Sequence, residues 1–229
     1  MPYNIVFLLK KELKSMIKNK FSQKAAEILI DIGAISMQTD TPFTLTSGRK
    51  SPVYVDCRKI ISFPKERKKL MEMAVEVLGS ESSSFDAIAG GETAGIPFAA
   101  WISELMTLPM LYVRKKPKGF GQNKQIEGVI KSGQNVLLVE DLATDGGSKM
   151  SFINAIRNTG ANCHTCFVIF HYGIFQQSLR NLEAQNVSLI ELATWKDILE
   201  VSRKRGIKKN KIDDIERFLE NPDKWEPNK

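Results

Sequence analysis

Two adjacent carboxylates, Glu140 and Asp141, precede a turn of small and polar residues that contains Thr144 and two consecutive glycines. The glycines permit close approach of the backbone, and several N–H groups of such a turn can point at one anion. The carboxylates can accept hydrogen bonds from sugar hydroxyls or support a metal ion. Residues 140–148 therefore suit a sugar phosphate, although an ordinary turn with two solvated acids has the same pattern.

The same turn does not match the common nucleotide-binding motifs. A P-loop requires Gly-Lys followed by Ser or Thr, whereas here Lys149 comes after Ser148. A dinucleotide fingerprint requires three spaced glycines, and neither this turn nor the pair Gly119 and Gly121 supplies them. The predicted ligand group is thus a phosphate monoester.

A basic segment, residues 114–124, is the second stretch whose residue types suggest chemistry. It contains Arg114, Lys115 and Lys118 and follows a predicted strand, so we expect it at a strand end near the phosphate site. Basic runs are usually solvated or bind nucleic acid, but the glycines here favour a mobile lid. Because no groove-reading helix or aromatic-studded basic face accompanies the segment, we expect small anionic substrates and no nucleic acid.

Short apolar runs alternate with helical patterns along the chain. In open α/β sheets with this order, ligands bind beyond the carboxyl ends of the parallel strands. We therefore predict an α/β protein with a central, mainly parallel sheet flanked by helices, whose strand ends position the acids and the basic segment. The predicted strands cover residues 86–90, 109–113, 136–139, 163–170 and 187–192.

Residues 136–148 resemble the signature with which type I phosphoribosyltransferases bind 5-phosphoribosyl 1-diphosphate (PRPP): an apolar strand, two acids and a Thr-x-Gly-Gly-like loop. The run from Thr44 to Pro52 resembles the amino-terminal hood of the orotate phosphoribosyltransferases, Thr-Leu-x-Ser-Gly-x-x-Ser-Pro. Its turn at residues 47–50 predicts a hairpin outside the main sheet. The resemblance implies a type I phosphoribosyltransferase fold with a small hood and a flexible catalytic loop.

The resemblance also implies an activity. The expected enzyme is a pentosyltransferase that moves ribose 5-phosphate from PRPP to orotate, giving orotidine 5′-phosphate and diphosphate in pyrimidine biosynthesis. Mg²⁺ is the implied cofactor, held mainly by PRPP and water with no direct protein ligand, and the implied assembly is a homodimer whose catalytic loop is shared across the interface. Two alternatives stay open: a phosphoribosyltransferase for another nucleobase, and a PRPP-binding regulatory protein.

The family's functional positions fall on a few segments of this sequence. The basic segment resembles the family's Arg-Lys-x-x-Lys-x-His-Gly catalytic loop, and the turn after strand 86–90 resembles its diphosphate-binding turn. The implied catalytic residues are Arg114, Lys115, Lys118 and Asp141. The implied PRPP-binding residues are Arg114, Lys115, Lys118, Glu140, Asp141, Leu142, Ala143, Thr144, Asp145, Gly146, Gly147, Ser148, Thr93 and Ala94. The implied orotate-binding residues are Tyr54, Val55, Thr144 and Tyr172.

Three positions depart from the family's pattern. Thr46 stands where a lysine often precedes Ser-Gly, and Phe120 replaces the histidine or tyrosine of the catalytic loop. Tyr172 follows His171, where the family commonly has an arginine that pairs with the orotate carboxylate. The departures at Phe120 and Tyr172 motivate the alternative of a different acceptor base.

Composition indicates one α/β domain with additions: 229 residues, 42% of them apolar, and a formal net charge of +7 that suits anionic substrates. We predict a basic extension at 1–21, a phosphoribosyltransferase domain at 22–202 with its hood at about 35–62, and a charged, helical, peripheral tail at 203–229. No apolar run approaches the ~18 residues that span a membrane, and we expect a cytoplasmic protein with no membrane partner.

Three cysteines are too few for a disulfide framework. Cys163 and Cys166 form a C-x-x-C inside a predicted strand. Because side chains alternate along a strand, an odd separation sends the two thiols to opposite faces. We therefore expect both to pack in the core rather than to chelate a metal or form a redox pair.

Overall fold

The computed structural model describes residues 19–45, 48–79, 84–117, 125–144, 147–174 and 176–227. Its first elements are helix α1, described over residues 19–31, and four short strands that form the hood. The strands are β1 (Ile35–Met37), β2 (Phe43–Thr44), β3 (Lys50–Ser51) and β4 (Val53–Val55), followed by a 3₁₀ helix (Cys57–Ser62). The antiparallel pairs β1–β4 and β2–β3 stand apart from the main sheet, which confirms the predicted hairpin.

A six-stranded sheet forms the centre of the described structure. Its strands are β5 (Ala87–Gly91), β6 (Met110–Val113), β7 (Ile126–Glu127), β8 (Asn135–Ala143), β9 (Asn162–His171) and β10 (Ser188–Thr194). Their order is β10-β9-β8-β5-β6-β7, and all neighbours are parallel except β6 and β7. The mainly parallel α/β sheet is confirmed, and β7 adds an antiparallel edge strand that the sequence did not indicate.

Helices cover both faces of this sheet. They are α2 (Pro64–Leu78), α3 (Gly95–Met106), α4 (Gly147–Arg157), α5 (Gln176–Ala184), α6 (Trp195–Lys204) and α7 (Lys209–Glu220). In β8, Leu137 and Val139 pack in the layer of α2 and α3, whereas Val136 and Leu138 pack in the layer of α4. Burial on both faces explains why this strand is a continuous apolar run. Among the described helices, none is long and apolar enough to cross a bilayer.

The carboxyl-terminal tail is helical, but its expected peripheral position is wrong. Helix α7 buries Ile212, Ile215 and Phe218 in the same core cluster as α1, α2 and α3. Beyond the helix, Trp225 is also buried and packs edge-to-face on Phe218, with ring centroids 5.7 Å apart. The charged composition of this segment concealed an amphipathic stripe, whose apolar residues recur at helical spacing.

The expectation that Cys163 and Cys166 lie on opposite faces is also wrong. Between the pairs Asn135–Asn162 and Leu137–Thr165, strand β9 carries one residue more than β8, so the register shifts by one. This β-bulge reverses the side-chain alternation, and both thiols pack in the α4 layer. Both are free and buried, and burial raises the pKa of each thiol, to about 12 for Cys163. Core packing is therefore retained as their role.

Candidate active site

The carboxyl ends of four parallel strands meet at one edge of the sheet. β5 ends at the turn 92–94, β6 at Arg114, β8 at residues 140–144 and β9 at Tyr172. The last two ends are joined directly, because the Tyr172 N–H donates to the Ala143 carbonyl at 2.9 Å. The parallel sheet thus brings together segments that are up to 80 residues apart in sequence.

The two carboxylates at the end of β8 differ in exposure. Glu140 is buried, with 7% of its surface exposed, and burial raises its pKa from 4.5 to about 7 even though nearby Lys149 and Lys115 lower it. Asp141 lines an open cavity, and burial raises its pKa to a smaller extent. Asp141 is therefore the more accessible acid of the pair.

Two glycines that sequence reasoning did not assign to the site make room for Glu140. An added Cβ at Gly91 would lie 2.1 Å from Glu140 Oε1, and one at Gly95 would lie 2.7 Å from the same atom. No real Cβ approaches an oxygen so closely, so the carboxylate occupies space that only glycine leaves open. The signal in the sequence was the pair of glycines that brackets Glu92–Ala94 at the end of a buried strand.

Lys149 is a third residue that sequence reasoning left out of the site. It is buried, with 3% of its surface exposed, and its ammonium donates to the Leu142 carbonyl at 2.8 Å. Its charge lowers the pKa values of Glu140 and Asp141, against the effect of burial. Lys149 precedes Phe152 by three residues and Ile153 by four, which places it on the apolar face of α4. This helical spacing could have identified it as a buried lysine.

The predicted phosphate loop lies between β8 and α4. Thr144 lines the cavity beside Asp141, and α4 begins at Gly147 and includes Ser148. The amino terminus of α4, with its unpaired N–H groups and positive dipole end, therefore faces the strand-end edge. Asp145 and Gly146, predicted to bind the same phosphate, lie outside the described residues.

The base of the predicted catalytic loop is fixed by hydrogen bonds at both ends. The Arg114 N–H donates to the Gln125 carbonyl at 2.8 Å, and Gln125 Nε2 donates to the Arg114 carbonyl at 2.8 Å. Arg114 Nη1 lies 3.6 Å from Glu127 Oε1, and its buried Nε finds no acceptor within the described residues. Lys118 and Phe120 lie in the segment 118–124, outside the described residues.

The turn after β5 is connected to this loop base. Glu92 Oε2 accepts a hydrogen bond from the Lys115 N–H at 2.7 Å, and the Glu92 N–H donates to the Val113 carbonyl at 2.9 Å. Ala94 lines the cavity, whereas Thr93 is exposed next to it. The peptide bond between Glu92 and Thr93 is cis. The two segments predicted to bind diphosphate are therefore adjacent.

An open cavity of about 800 Å³ lies between the strand ends and the hood. The predicted residues Tyr54, Val55, Thr144 and Tyr172 all line it, together with Asp141. Tyr54 is 38% exposed, and its ring lies 5.7 Å from that of Phe43. Arg49, Arg58 and Phe218 also line the cavity and were not predicted. The hood hairpin and the carboxyl-terminal tail thus form the parts of the cavity wall that the strand ends do not form.

Tyr172, at the position of the family's arginine, is fixed by its surroundings. Its ring packs edge-to-face against Phe170 and Trp195, with centroids 5.8 and 5.7 Å away. Burial raises the pKa of the phenol, while a hydrogen bond with the Val55 backbone acts in the opposite direction. The phenol is therefore neutral near pH 7, and it ties β9 to the hood instead of presenting a positive charge.

The chain is similar in sequence to proteins of one family. Residues 59–198 match the family model described as a phosphoribosyl transferase domain. The chain is 51% identical over 212 residues to an orotate phosphoribosyltransferase of Cereibacter sphaeroides (strain ATCC 17029), with 91% of each chain covered. It is 51% identical over 210 residues to the Ruegeria sp. (strain TM1040) enzyme of the same name, covering 90% of this chain and 93% of that one.

A solved structure agrees with these sequence relationships. The orotate phosphoribosyltransferase of Aeropyrum pernix superposes with a TM-score of 0.69 at 32% identity, covering 78% of this chain and 98% of that one. The two chains therefore share their fold over most of their length.

Proposed function

The chain belongs to the orotate phosphoribosyltransferase family, and we propose that its strand-end cavity transfers ribose 5-phosphate from PRPP to orotate. The observation that carries this proposal is the convergence of four strand ends beneath the hood. The amino terminus of α4, the carboxylate pair, the base of the basic loop and a cavity of about 800 Å³ lie at the same edge of the sheet.

The donor half of the proposed site binds PRPP. We place the 5-phosphate at the amino terminus of α4, beside Thr144 on the cavity wall, because the first N–H groups of a helix can bind an anion. The ribose hydroxyls donate hydrogen bonds to Asp141 and Glu140. The anomeric carbon becomes positively charged as diphosphate leaves, so these carboxylates also stabilise the transition state.

The leaving diphosphate is received by the basic loop and the turn after β5. Arg114 and Lys115, with Lys118, supply three positive charges, and Thr93 and Ala94 supply main-chain donors. Within the described residues the buried Nε of Arg114 has no hydrogen-bond partner, which supports the presence of an anion at this end of the site. Closure of the loop excludes water, which otherwise competes with the base for the ribosyl group.

Mg²⁺ is the proposed cofactor. Within the described residues, no group of three or more histidine, cysteine or acidic side chains is arranged to hold a metal. Asp141, on the cavity wall, is the carboxylate that fits a hard cation carried by substrate oxygens and water. When bound, the ion supplies positive charge to the diphosphate.

The acceptor half lies under the hood. Tyr54 and Val55 flank the cavity on the β4 side, and Tyr172 closes it on the β9 side. A planar pyrimidine placed between these walls presents N1 to the anomeric carbon held near Asp141. This positioning converts a reaction between two solutes into one between neighbours, which accounts for much of the rate enhancement in such transfers.

A homodimer is proposed from an exposed apolar surface next to the hood. We define the α2–α3 surface as Ile61, Phe63, Trp101 and Leu105. Leu105 is 45% exposed, and Ile61 and Phe63 are 39% and 37% exposed. Arg67 joins them, because its guanidinium lies 4.2 Å above the Trp101 ring and donates to the Ile61 carbonyl. Apolar patches of this kind mark protein interfaces.

The cytoplasmic location and the domain boundaries stay predictions from the sequence.

The acceptor is tested by incubating the protein with PRPP, Mg²⁺ and a panel containing orotate, uracil and the purine bases. We expect orotate loss, followed by its absorbance, to depend on both PRPP and Mg²⁺. Turnover of uracil or a purine without turnover of orotate would assign a different acceptor. PRPP binding without turnover of any base would favour the regulatory alternative.

A further inference from the structure

The carboxyl-terminal segment, residues 209–227, reaches the acceptor cavity. Phe218 of α7 lines the cavity together with Tyr172 and Tyr54. Asp223, beyond the helix, forms an ion pair with Arg49 of the hood hairpin, and Arg49 lines the same cavity. The tail and the hairpin are thus joined across the rim of the acceptor half.

Packing fixes the position of Asp223. Pro222 and Trp225, on either side of it, are buried, and the Trp225 indole donates to Asp214 Oδ1 at 3.1 Å. Asp214 is 2% exposed and also pairs with Arg217 of α7. These buried neighbours anchor the backbone on both sides of Asp223, whose side chain is 72% exposed and reaches Arg49.

The acceptor cavity needs a positive charge that Tyr172 does not supply. Orotate carries a carboxylate, and an unpaired carboxylate in a partly desolvated cavity is costly. Among the described cavity-lining residues, the basic ones are Arg49 and Arg58. Each is paired with one acid, Arg58 with Asp56 and Arg49 with Asp223, but the Arg58 side chain is 59% exposed whereas the Arg49 side chain is 34% exposed.

We propose that Arg49 binds the carboxylate of the acceptor base, and that Asp223 of the tail is the positioning residue that holds Arg49 at the cavity rim. This inference rests on the proposed orotate acceptor. A guanidinium presents five N–H donors in a planar fork, so one arginine can bridge Asp223 and a substrate carboxylate. The carboxyl-terminal segment is then part of the acceptor site, and it contributes to the choice of base.

Steady-state kinetics of Arg49→Gln test the binding role. A hydrogen bond to a charged group contributes about 1.5–3 kcal/mol, and about 1.4 kcal/mol corresponds to a tenfold change in affinity. We therefore expect the variant to raise the KM for orotate by about tenfold or more and to change the KM for PRPP by less than about twofold. Uracil lacks the carboxylate, so the preference for orotate over uracil should fall by a similar factor. An unchanged orotate KM and an unchanged preference would overturn the assignment, as would a selective loss in Arg58→Gln instead.

Variants of Asp223 test the positioning role. We expect Asp223→Asn to raise the orotate KM by about threefold with kcat and the PRPP KM preserved, and Asp223→Glu to restore most of the loss. Glu226→Gln, an exposed acid three residues further along, is the matched control and should behave as wild type. Equal effects of Asp223→Asn on both substrates would indicate a structural role only.

Separate results would exclude the orotate acceptor and the role of Arg49. If the wild-type protein does not consume orotate, the proposed acceptor is wrong. If it does, and Arg49→Gln keeps the wild-type orotate KM in a variant whose unfolding curve is unchanged, only the role of Arg49 and the tail is wrong.

Discussion

Glu140 is an acid that the surrounding residues keep close to half-protonated near neutral pH. Its pKa rises from 4.5 to about 7 because burial disfavours the charged form. Between these values the folded chain retains a proton that the unfolded chain has lost. The contribution of Glu140 to the free energy of unfolding is therefore fully present below about pH 4.5 and is lost as the pH rises through about 7.

Glu140→Gln should remove this dependence. We expect the wild-type free energy of unfolding to decline relative to the variant between about pH 4.5 and 7, measured by denaturant unfolding across that range. We also expect the wild-type KM for PRPP to rise as the pH falls below about 7, and the variant to lose that rise. Glu104→Gln, an exposed acid on α3, is the control. Parallel pH profiles for wild type and Glu140→Gln would contradict the account.

Gly91→Ala tests the space in which Glu140 lies. The added Cβ meets Glu140 Oε1 at 2.1 Å and Phe152 Cε2 at 2.8 Å, so we expect a loss of about 1–3 kcal/mol in unfolding free energy and a higher PRPP KM. Gly90→Ala is matched to it, since its Cβ would meet Ile96 Cα at 2.7 Å, away from the acid. Calorimetry should show both variants destabilised, and kinetics should show the PRPP defect only in Gly91→Ala. Equal PRPP defects would refute the specific role of Gly91.

At the scale of elements, the basic loop after β6 carries the positive charges that the proposed mechanism needs. Hydrogen bonds between Arg114 and Gln125 fix its two ends. Lys118→Ala removes one of the three positively charged side chains that are proposed to stabilise the leaving diphosphate. We therefore expect kcat to fall by about a hundredfold or more while the melting temperature is unchanged. Lys116→Ala, an exposed lysine in the same loop, should retain near-normal turnover. Similar activities of the two variants would make Lys118 surface charge only.

The elements also show what the sequence could and could not predict. Strands with continuous apolar runs, such as 136–139, and the hairpin around Gly48 were predictable because local pattern decides them. The bulge in β9 was not, since one extra residue in a strand leaves no trace in periodicity. The contact of Asp223 with Arg49 joins residues 174 positions apart and depends on long-range packing, which spacing along the chain does not encode.

At the scale of the whole molecule, the α2–α3 surface is the proposed dimer interface. Leu105→Asp places a charge in this apolar patch, and we expect the variant to sediment as a monomer at concentrations where wild type is a dimer. Ile207→Asp, on an exposed apolar residue in the loop between α6 and α7, is the control and should leave the dimer intact. Because the catalytic loop is expected to reach the neighbouring subunit, the monomer should also lose turnover. A monomeric wild-type protein would contradict the proposal.

If one cavity binds both substrates, the two products must form in equal amounts. With PRPP, Mg²⁺ and orotate, the wild-type protein should form orotidine 5′-phosphate and diphosphate in equal amounts, each matching the orotate consumed, as measured by chromatography of the quenched reaction. Asp141→Asn should reduce both products together. Diphosphate released without orotidine 5′-phosphate, or no loss of orotate at all, would contradict the account.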